Sequence, residues 1–228
     1  MGKIAVSLFL ALLITASPFK IYAVSTSNRA VYQSNEKESK KIAITFDDGP
    51  HPRNTPQILE ILEKYGIKAT FFVIGINAKN YPEALSGVIS KGHEIGNHTY
   101  SHNVLKSKSK EEIRKEIIDT EKEIAKGSDF STTLIRPPCG FYDDKLLEIA
   151  EEDNYKVVLW SIDTLDWAHA SVENIVSSVT KNIKGGDIIL FHDYISGENN
   201  TPEALRVLIP RLLNMGYEFV TVSELLQN

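Results

Sequence analysis

Residues 41–50 read Lys-Ile-Ala-Ile-Thr-Phe-Asp-Asp-Gly-Pro. An apolar, β-branched run at 42–46, closed by two acids and a Gly-Pro turn, describes a short buried strand that ends in charge. The same design recurs outward from there. Comparable runs lie at 69–74, 94–96, 134–135, 157–162, 188–191 and 219–222. Amphipathic helical patterns fill the intervals at 56–65, 81–91, 110–126, 144–152, 172–183 and 202–215. Short strands alternating with helices predict a parallel sheet covered by helices. About seven such strands either close as a small barrel or stay open as a doubly wound sheet, and periodicity alone does not choose.

The chain has 228 residues, 42% hydrophobic and 24% charged, with a formal net charge of −5. These fractions suit a globular domain and exclude a collagen-like or mainly disordered chain. No basic excess exists to neutralise phosphates, so a nucleic-acid partner is not expected. A single cysteine, Cys139, rules out an intrachain disulfide framework. Nothing in the sequence calls for an obligate protein partner, and a monomer is expected.

The first residues read differently. Lys3 is followed by an apolar run at 4–16 and then by small residues ending at Ala23. A basic start, an apolar stretch of about 7–15 residues and a small residue at the end describe a secretory signal peptide over residues 1–23. The competing reading is an uncleaved membrane anchor, but the run is shorter than the roughly 20 apolar residues that span a bilayer. Residues 24–40 are polar and aperiodic and read as a linker. The folded domain is expected over 41–228, in a protein that is secreted or associated with the cell wall.

Polar residues follow the strands with unusual regularity. Asp47 and Asp48 end the first run, and His98 and His102 follow the third. Arg136 follows the fourth; Asp163, Asp166 and Trp167 follow the fifth; His192 and Asp193 follow the sixth. In a parallel α/β protein the C-terminal ends of strands gather on one face, where active sites are built. Five charged clusters on that face point to a site rather than to solvated loops.

The spacing His98-x-x-x-His102 would put both imidazoles on one side of a helical turn, fit for one metal ion. For that spacing alone, two unrelated surface histidines are the favoured reading. A third ligand, which Asp48 can supply, gives an Asp-His-His set with positions open for water, as in a catalytic metal site. Nitrogen and oxygen donors without thiolate suit zinc, and also cobalt, nickel or manganese. Neighbouring residues of an extended segment point opposite ways, so Asp47 and Asp48 can share a site only through a turn. The pair would then divide its work, one carboxylate on the metal and the other free to take a proton from water. A guanidinium from Arg136 beside Asp47 would hold that carboxylate ionised. Asp166 and His192 form a candidate carboxylate–imidazole pair, able to donate a proton near neutral pH. Trp160, Trp167 and Leu190 read as core on residue type alone. His51, His93 and His169 show no partner.

Assembled in order, these residues resemble the polysaccharide deacetylase family, carbohydrate esterase family 4, also called the NodB-homology domain. The resemblance covers roughly 41–226. It is carried by Thr45-Phe46-Asp47-Asp48-Gly49-Pro50, His98-Thr99-Tyr100-Ser101-His102, Arg136-Pro137-Pro138-Cys139-Gly140, Asp163-Thr164-Leu165-Asp166-Trp167 and Leu190-Phe191-His192. It implies a distorted (β/α) barrel of about seven parallel strands with outer helices. It implies a divalent metal on Asp48, His98 and His102, with Asp47 as general base oriented by Arg136 and His192 as general acid supported by Asp166. Pro138, Cys139, Trp167 and Leu190 would contact substrate: Trp167 and Leu190 around the acetyl methyl group, the Cys139 N–H at the oxyanion. Cys139 stands where the family usually carries a larger residue, which alters the groove beside the metal but not a main-chain donor.

The expected activity is hydrolysis of N-acetyl groups on amino sugars of a cell-wall or extracellular polysaccharide, peptidoglycan first. Chitin oligomers, acetylated xylan, or glycan binding without catalysis are the alternatives.

Overall fold

The computed structural model describes residues 31–37, 40–126 and 131–227. The segment read as a signal peptide lies outside them. In chain order the strands are β1 (Val31–Tyr32), β2 (Lys41–Asp47), β3 (Thr70–Val73), β4 (Glu94–Asn97), β5 (Leu134–Ile135), β6 (Lys156–Val158), β7 (Ile162–Asp163), β8 (Ile188–His192) and β9 (Glu218–Phe219). The helices are α1 (Asn54–Lys64), α2 (Gly75–Asn80), α3 (Pro82–Ser90), α4 (Lys110–Ile124), α5 (Asp144–Glu152), α6 (Val172–Thr180), α7 (Thr201–Asn214) and α8 (Val222–Leu225). Eight strands run in the order β1-β6-β5-β4-β3-β2-β8-β7, and β9 pairs with the start of β2. Every pairing between named strands is parallel. The sheet curls into a distorted (β/α) barrel with the helices outside.

Alternation along β2 and β8 decides what each face receives. Ile42, Ile44 and Phe46 enter the large core beneath the helices, where they meet Ile58 and Leu62 of α1 and Leu205 and Leu208 of α7. Ala43 points the other way, with Phe72, Leu134, Val158 and Ile188, each from a different strand. Val222 and Leu225 of α8 close that inner cluster. Burying one such apolar side chain contributes about 1.5–3 kcal/mol. Side chains of period two then carry the inner face upward through Thr45 to Asp47 on β2, and through Leu190 to His192 on β8. The strands are in register Ala43↔Ile188, Thr45↔Leu190 and Asp47↔His192. Asp47 and His192 are therefore neighbours at the C-terminal mouth because the apolar residues below them face a common interior.

Four expectations need correction. The run at 157–162 is not one strand. β6 pairs with β1 and β5, whereas β7 pairs with β8 at the opposite end of the order. Residues 159–161 cross between them, with the Leu159 N–H donating to Tyr32 O (2.7 Å) and the Ser161 N–H to Ile188 O (2.9 Å). Three intervening residues span at most about 14 Å from Val158 to Ile162, so the two ends of the strand order stand close and this crossing bridges them. A short apolar run broken only by Ser161 carries no mark of a change of partner. Secondly, the stretch 24–40 is not wholly linker, since Val31–Tyr32 pairs with β6 as an edge strand; two residues are too few to show a period. Thirdly, Val222, expected in the last strand, begins α8, where Thr221 and Glu224 form a capping box. Lastly, α2 went unforeseen because six residues are too short for a helical stripe.

Local chemistry starts the other helices. Ser109 and Glu112 form a capping box on α4, Asp143 caps α5 and Ser171 caps α6. His51, which seemed partnerless, caps α1: its Nδ1 accepts from the N–H groups of Arg53 (3.3 Å) and Asn54 (3.1 Å). Among the described residues no helix is long and apolar enough to cross a membrane.

Candidate metal centre and active site

The barrel mouth holds a cavity of about 330 Å³. Asp47, Asp48, His98, His102, Cys139, Trp167, Leu190 and His192, all expected in a site, line it together with Trp160 and Asp163. Arg136, Pro138 and Asp166 lie buried. A larger groove of about 590 Å³ between α3 and the end of α4 offers, among the described residues, only Glu83 and Lys126 as ionisable groups, so size does not locate the chemistry.

Asp48 leaves the end of β2 with φ 72°. That left-handed step turns it to the same side as Asp47, as the adjacent pair required. The His98–His102 segment is not a helical turn. It is an irregular loop in which Thr99 (φ 66°) and His102 (φ 57°) are also left-handed. Such backbone costs about 1–2 kcal/mol per non-glycine residue and persists where surrounding bonds fix it, typically at functional sites.

His98 Nε2 lies 3.4 Å and His102 Nε2 3.1 Å from Asp48 Oδ1. One donor atom from each residue fits within a 4.8 Å cluster. Tetrahedral bonds of about 2.0–2.1 Å to a zinc ion would separate its ligands by about 3.3 Å, close to both spacings. The buried Asp48 Oδ1 meets no hydrogen bond of good geometry, which is the state of a lone pair aimed at an ion. His98 Nδ1 is 2.7 Å from Arg136 O, so its N–H donates there and the Nε2 lone pair faces the cavity. Burial pushes Asp48 upward, but His102 and His98 outweigh it and hold the carboxylate well below its usual range. The donor set fits a divalent cation.

Asp47 stands beside this set, with Oδ2 3.7 Å from His98 Nε2. Its Oδ1 accepts from Arg136 Nη1 (2.7 Å). Arg136 is fully buried, which excludes the surface-arginine reading. Nη1 also donates to Thr45 Oγ1 (2.8 Å), Nη2 to Leu159 O (2.9 Å) and Nε to Val158 O (3.2 Å), while the guanidinium lies 4.0 Å over the Phe72 ring. Burial lowers the Arg136 pKa, and the Asp47 charge opposes that loss. The cation is thus locked behind Asp47, leaving Oδ2 toward the cavity.

Across the mouth, His192 Nδ1 meets Asp166 Oδ1 at 2.8 Å. Asp166 is saturated otherwise: Oδ2 accepts from the His192 N–H (2.7 Å) and Thr201 Oγ1 (2.6 Å), and Oδ1 from the Trp167 N–H (2.8 Å). Burial acts to lower the His192 pKa, but the Asp166 hydrogen bond and charge prevail and raise it to about 9. At neutral pH His192 is an imidazolium with a proton to give.

Trp160 was not expected in the pocket, and Asp163 was expected at the strand ends without a role. Trp160 reads as core from its type, but it sits on the 159–161 crossing that only the three-dimensional path reveals. Asp163 Oδ1 accepts from the Leu165 N–H (2.9 Å) and from Trp167 Nε1 (3.2 Å), fixing the indole at the rim. His93 lies in the core below, its Nδ1 accepting from the Ala69 N–H (3.2 Å), and His169 meets Glu198 O. Neither faces the cavity.

Comparisons with known proteins agree with this geometry. The family model for polysaccharide deacetylase matches residues 34–158. The chain is 45% identical over 190 residues to a peptidoglycan-N-acetylglucosamine deacetylase of Bacillus cereus, covering 82% of this chain and 89% of that protein. It is 40% identical over 190 residues to the peptidoglycan-N-acetylmuramic acid deacetylase PdaC of Bacillus subtilis, covering 83% of this chain but 39% of that longer protein. The crystal structure of the Bc1960 peptidoglycan N-acetylglucosamine deacetylase superimposes with a TM-score of 0.84 at 36% identity, covering 88% of this chain and 94% of that one.

Proposed function

This chain belongs to the polysaccharide deacetylase family, and from that premise we propose that it is a metal-dependent hydrolase removing N-acetyl groups from the amino sugars of peptidoglycan. One observation carries the reading: an Asp48–His98–His102 donor set opens into the same cavity as an arginine-bound carboxylate and a carboxylate-bound imidazole. The peptidoglycan substrate is supported by the relatives whose names give N-acetylglucosamine or N-acetylmuramic acid as their target.

Asp48, His98 and His102 would hold a divalent ion, zinc by the character of these donors, which when bound would supply Lewis acidity for the amide carbonyl and for water. Asp47 takes the proton of the attacking water at Oδ2, because Oδ1 is tied to Arg136. The buried Arg136 cation keeps Asp47 ionised and in place while the proton arrives. His192 donates from Nε2 to the departing sugar amine, and Asp166 holds the Nδ1–H so that the proton given up is the one on Nε2. The Cys139 N–H, at the cavity wall in a left-handed conformation, stabilises the oxyanion. Trp167 and Leu190 enclose the acetyl methyl group, and Pro138 sets the backbone before Cys139. Residues 1–23, read as an export signal, would deliver the enzyme to the wall.

The test is acetate release from peptidoglycan fragments, chitin oligomers and acetylated xylan, with mass spectrometry of the products. Acetyl loss from peptidoglycan sugars, abolished by chelation and restored by zinc, is expected. Activity on acetylated xylan alone would replace the amide reading with an esterase. Glycan binding without acetate release would remove catalysis, and full activity in stripped protein would remove the metal.

A further inference from the structure

The proposed metal ligands sit on two turns from different strands, and neither turn has a conformation that its own residues favour. What holds them is the start of α2. Four consecutive residues there reach both turns. The Ile74 N–H donates to Gly49 O (2.9 Å), the Gly75 N–H to Thr99 O (3.0 Å) and the Ile76 N–H to Tyr100 O (3.0 Å). The Asn77 side chain completes the series, Nδ2 donating to Asp48 O at 2.7 Å.

The second turn is also gripped from α4. Glu116 Oε2 accepts from the N–H groups of Tyr100 (3.0 Å) and Ser101 (2.8 Å), and Oε1 from Ser101 Oγ (2.7 Å). The two helices cannot drift apart or closer independently of the turns. A Cβ on Gly75 would lie 2.5 Å from the Tyr100 ring and 2.8 Å from Thr120 Oγ1 of α4. The left-handed residues Asp48, Thr99 and His102 are therefore spanned by one connected frame of hydrogen bonds.

We propose that Asn77 and Glu116 are positioning residues that set the separation of Asp48 from His98 and His102, and through it the affinity for a divalent cation. This rests on the reading of Asp48, His98 and His102 as the metal centre. Neither residue faces the cavity, and neither touches the reacting atoms. Within the frame, the three ties from residues 74–76 are main-chain groups that any non-proline residue supplies. Asn77 and Glu116 are the side chains that tie the turns to α2 and α4, while Asn97 braces the second turn from within, its Oδ1 accepting from the Thr99 N–H (2.9 Å). An aspartate at 77 would keep the shape of asparagine but set an acceptor against the Asp48 carbonyl. Support of this indirect kind changes metal affinity about 10–100-fold when removed.

The experiment is a zinc titration of metal-free full-length protein against a chromogenic chelator, with the visible spectrum of the Co²⁺-loaded form recorded alongside. The wild type should bind zinc. Asn77→Asp and Glu116→Ala should each weaken zinc binding about 10–100-fold and alter the cobalt spectrum, with circular dichroism unchanged. Asn80→Ala, on the exposed face of the same helix, should leave both readouts unchanged. Glu116→Gln, which keeps one acceptor oxygen, should restore part of the affinity lost in Glu116→Ala and provides a milder variant if alanine impairs folding. Unchanged zinc affinity in folded Asn77→Asp and Glu116→Gln would overturn the proposal while leaving the metal centre standing. A wild type that binds no zinc would overturn the metal centre, and with it the frame's purpose.

Discussion

The two halves of the mouth are built on different principles. Asp47, Arg136 and His192 stand in or directly after regular strands, and their partners are fixed side chains: Asp47 with Arg136, His192 with Asp166. Asp48 and His102 stand in left-handed conformations, and His98 leaves the end of β4 into the irregular turn that carries His102. The first half is held by buried charge, the second by backbone bonds from α2 and by Glu116. Strand-borne groups need exact neighbours, whereas turn-borne ligands need a frame that overrides their local preference.

The sharpest way to separate the halves is to unpair the buried charge. Arg136→Ala leaves Asp47 buried without its partner, and losing one member of a buried ion pair costs about 3–5 kcal/mol. Denaturant titration should show that loss; a change below about 1 kcal/mol would mean that solvent reaches Asp47 and that the strand-borne half is less rigid than described. Asp47→Asn keeps an acceptor for Arg136 but removes the proposed base. Turnover should fall about 10²–10⁴-fold while zinc affinity persists, and parallel loss of both would show that the two halves are not separable.

Asp166→Asn reaches the opposite wall. His192 owes its raised pKa to Asp166, so the variant should move the alkaline limit of activity downward from near 9. The wild-type pair also gives stability a pH dependence. Its contribution is fully present below about pH 6.5, where the imidazole is charged in both states, and fades as pH rises through 9. A pH profile of kcat/KM identical in the two proteins would exclude His192 as the proton donor. The smallest effect is expected at Thr99, where glycine relieves a left-handed strain but adds unfolded-state entropy. These terms are of similar size, so Thr99→Gly should change unfolding stability by less than about 1 kcal/mol. A large loss would locate a stabilising role in its side chain.

The same division explains what could be read without coordinates. Asp47 and His192 follow apolar runs of period two, so their place at the strand ends is written in the residues beside them. Arg136, two residues ahead of Pro138, is equally legible by position, although only the fold shows that its guanidinium is sealed behind Asp47. The proposed turn-borne ligands were identifiable by type and spacing, but the expected helical turn at 98–102 is wrong, because α2, Glu116 and the Asn97 side chain fix another shape. Trp160 joined the pocket through a crossing between β6 and β7 that a single apolar run conceals. Asn77 and Glu116 carry no signal at all in one sequence: an asparagine in a short helix and a glutamate on a charged one look like solvated surface.

The most direct measurement is a crystal structure of the protein soaked with zinc, with anomalous data collected at the zinc edge. The account predicts a strong peak coordinated by an Asp48 carboxylate oxygen and by Nε2 of both His98 and His102, with Asp47 and His192 beside it. A peak bound elsewhere in the mouth, or Asp48, His98 and His102 left without an ion at saturating zinc, would contradict it.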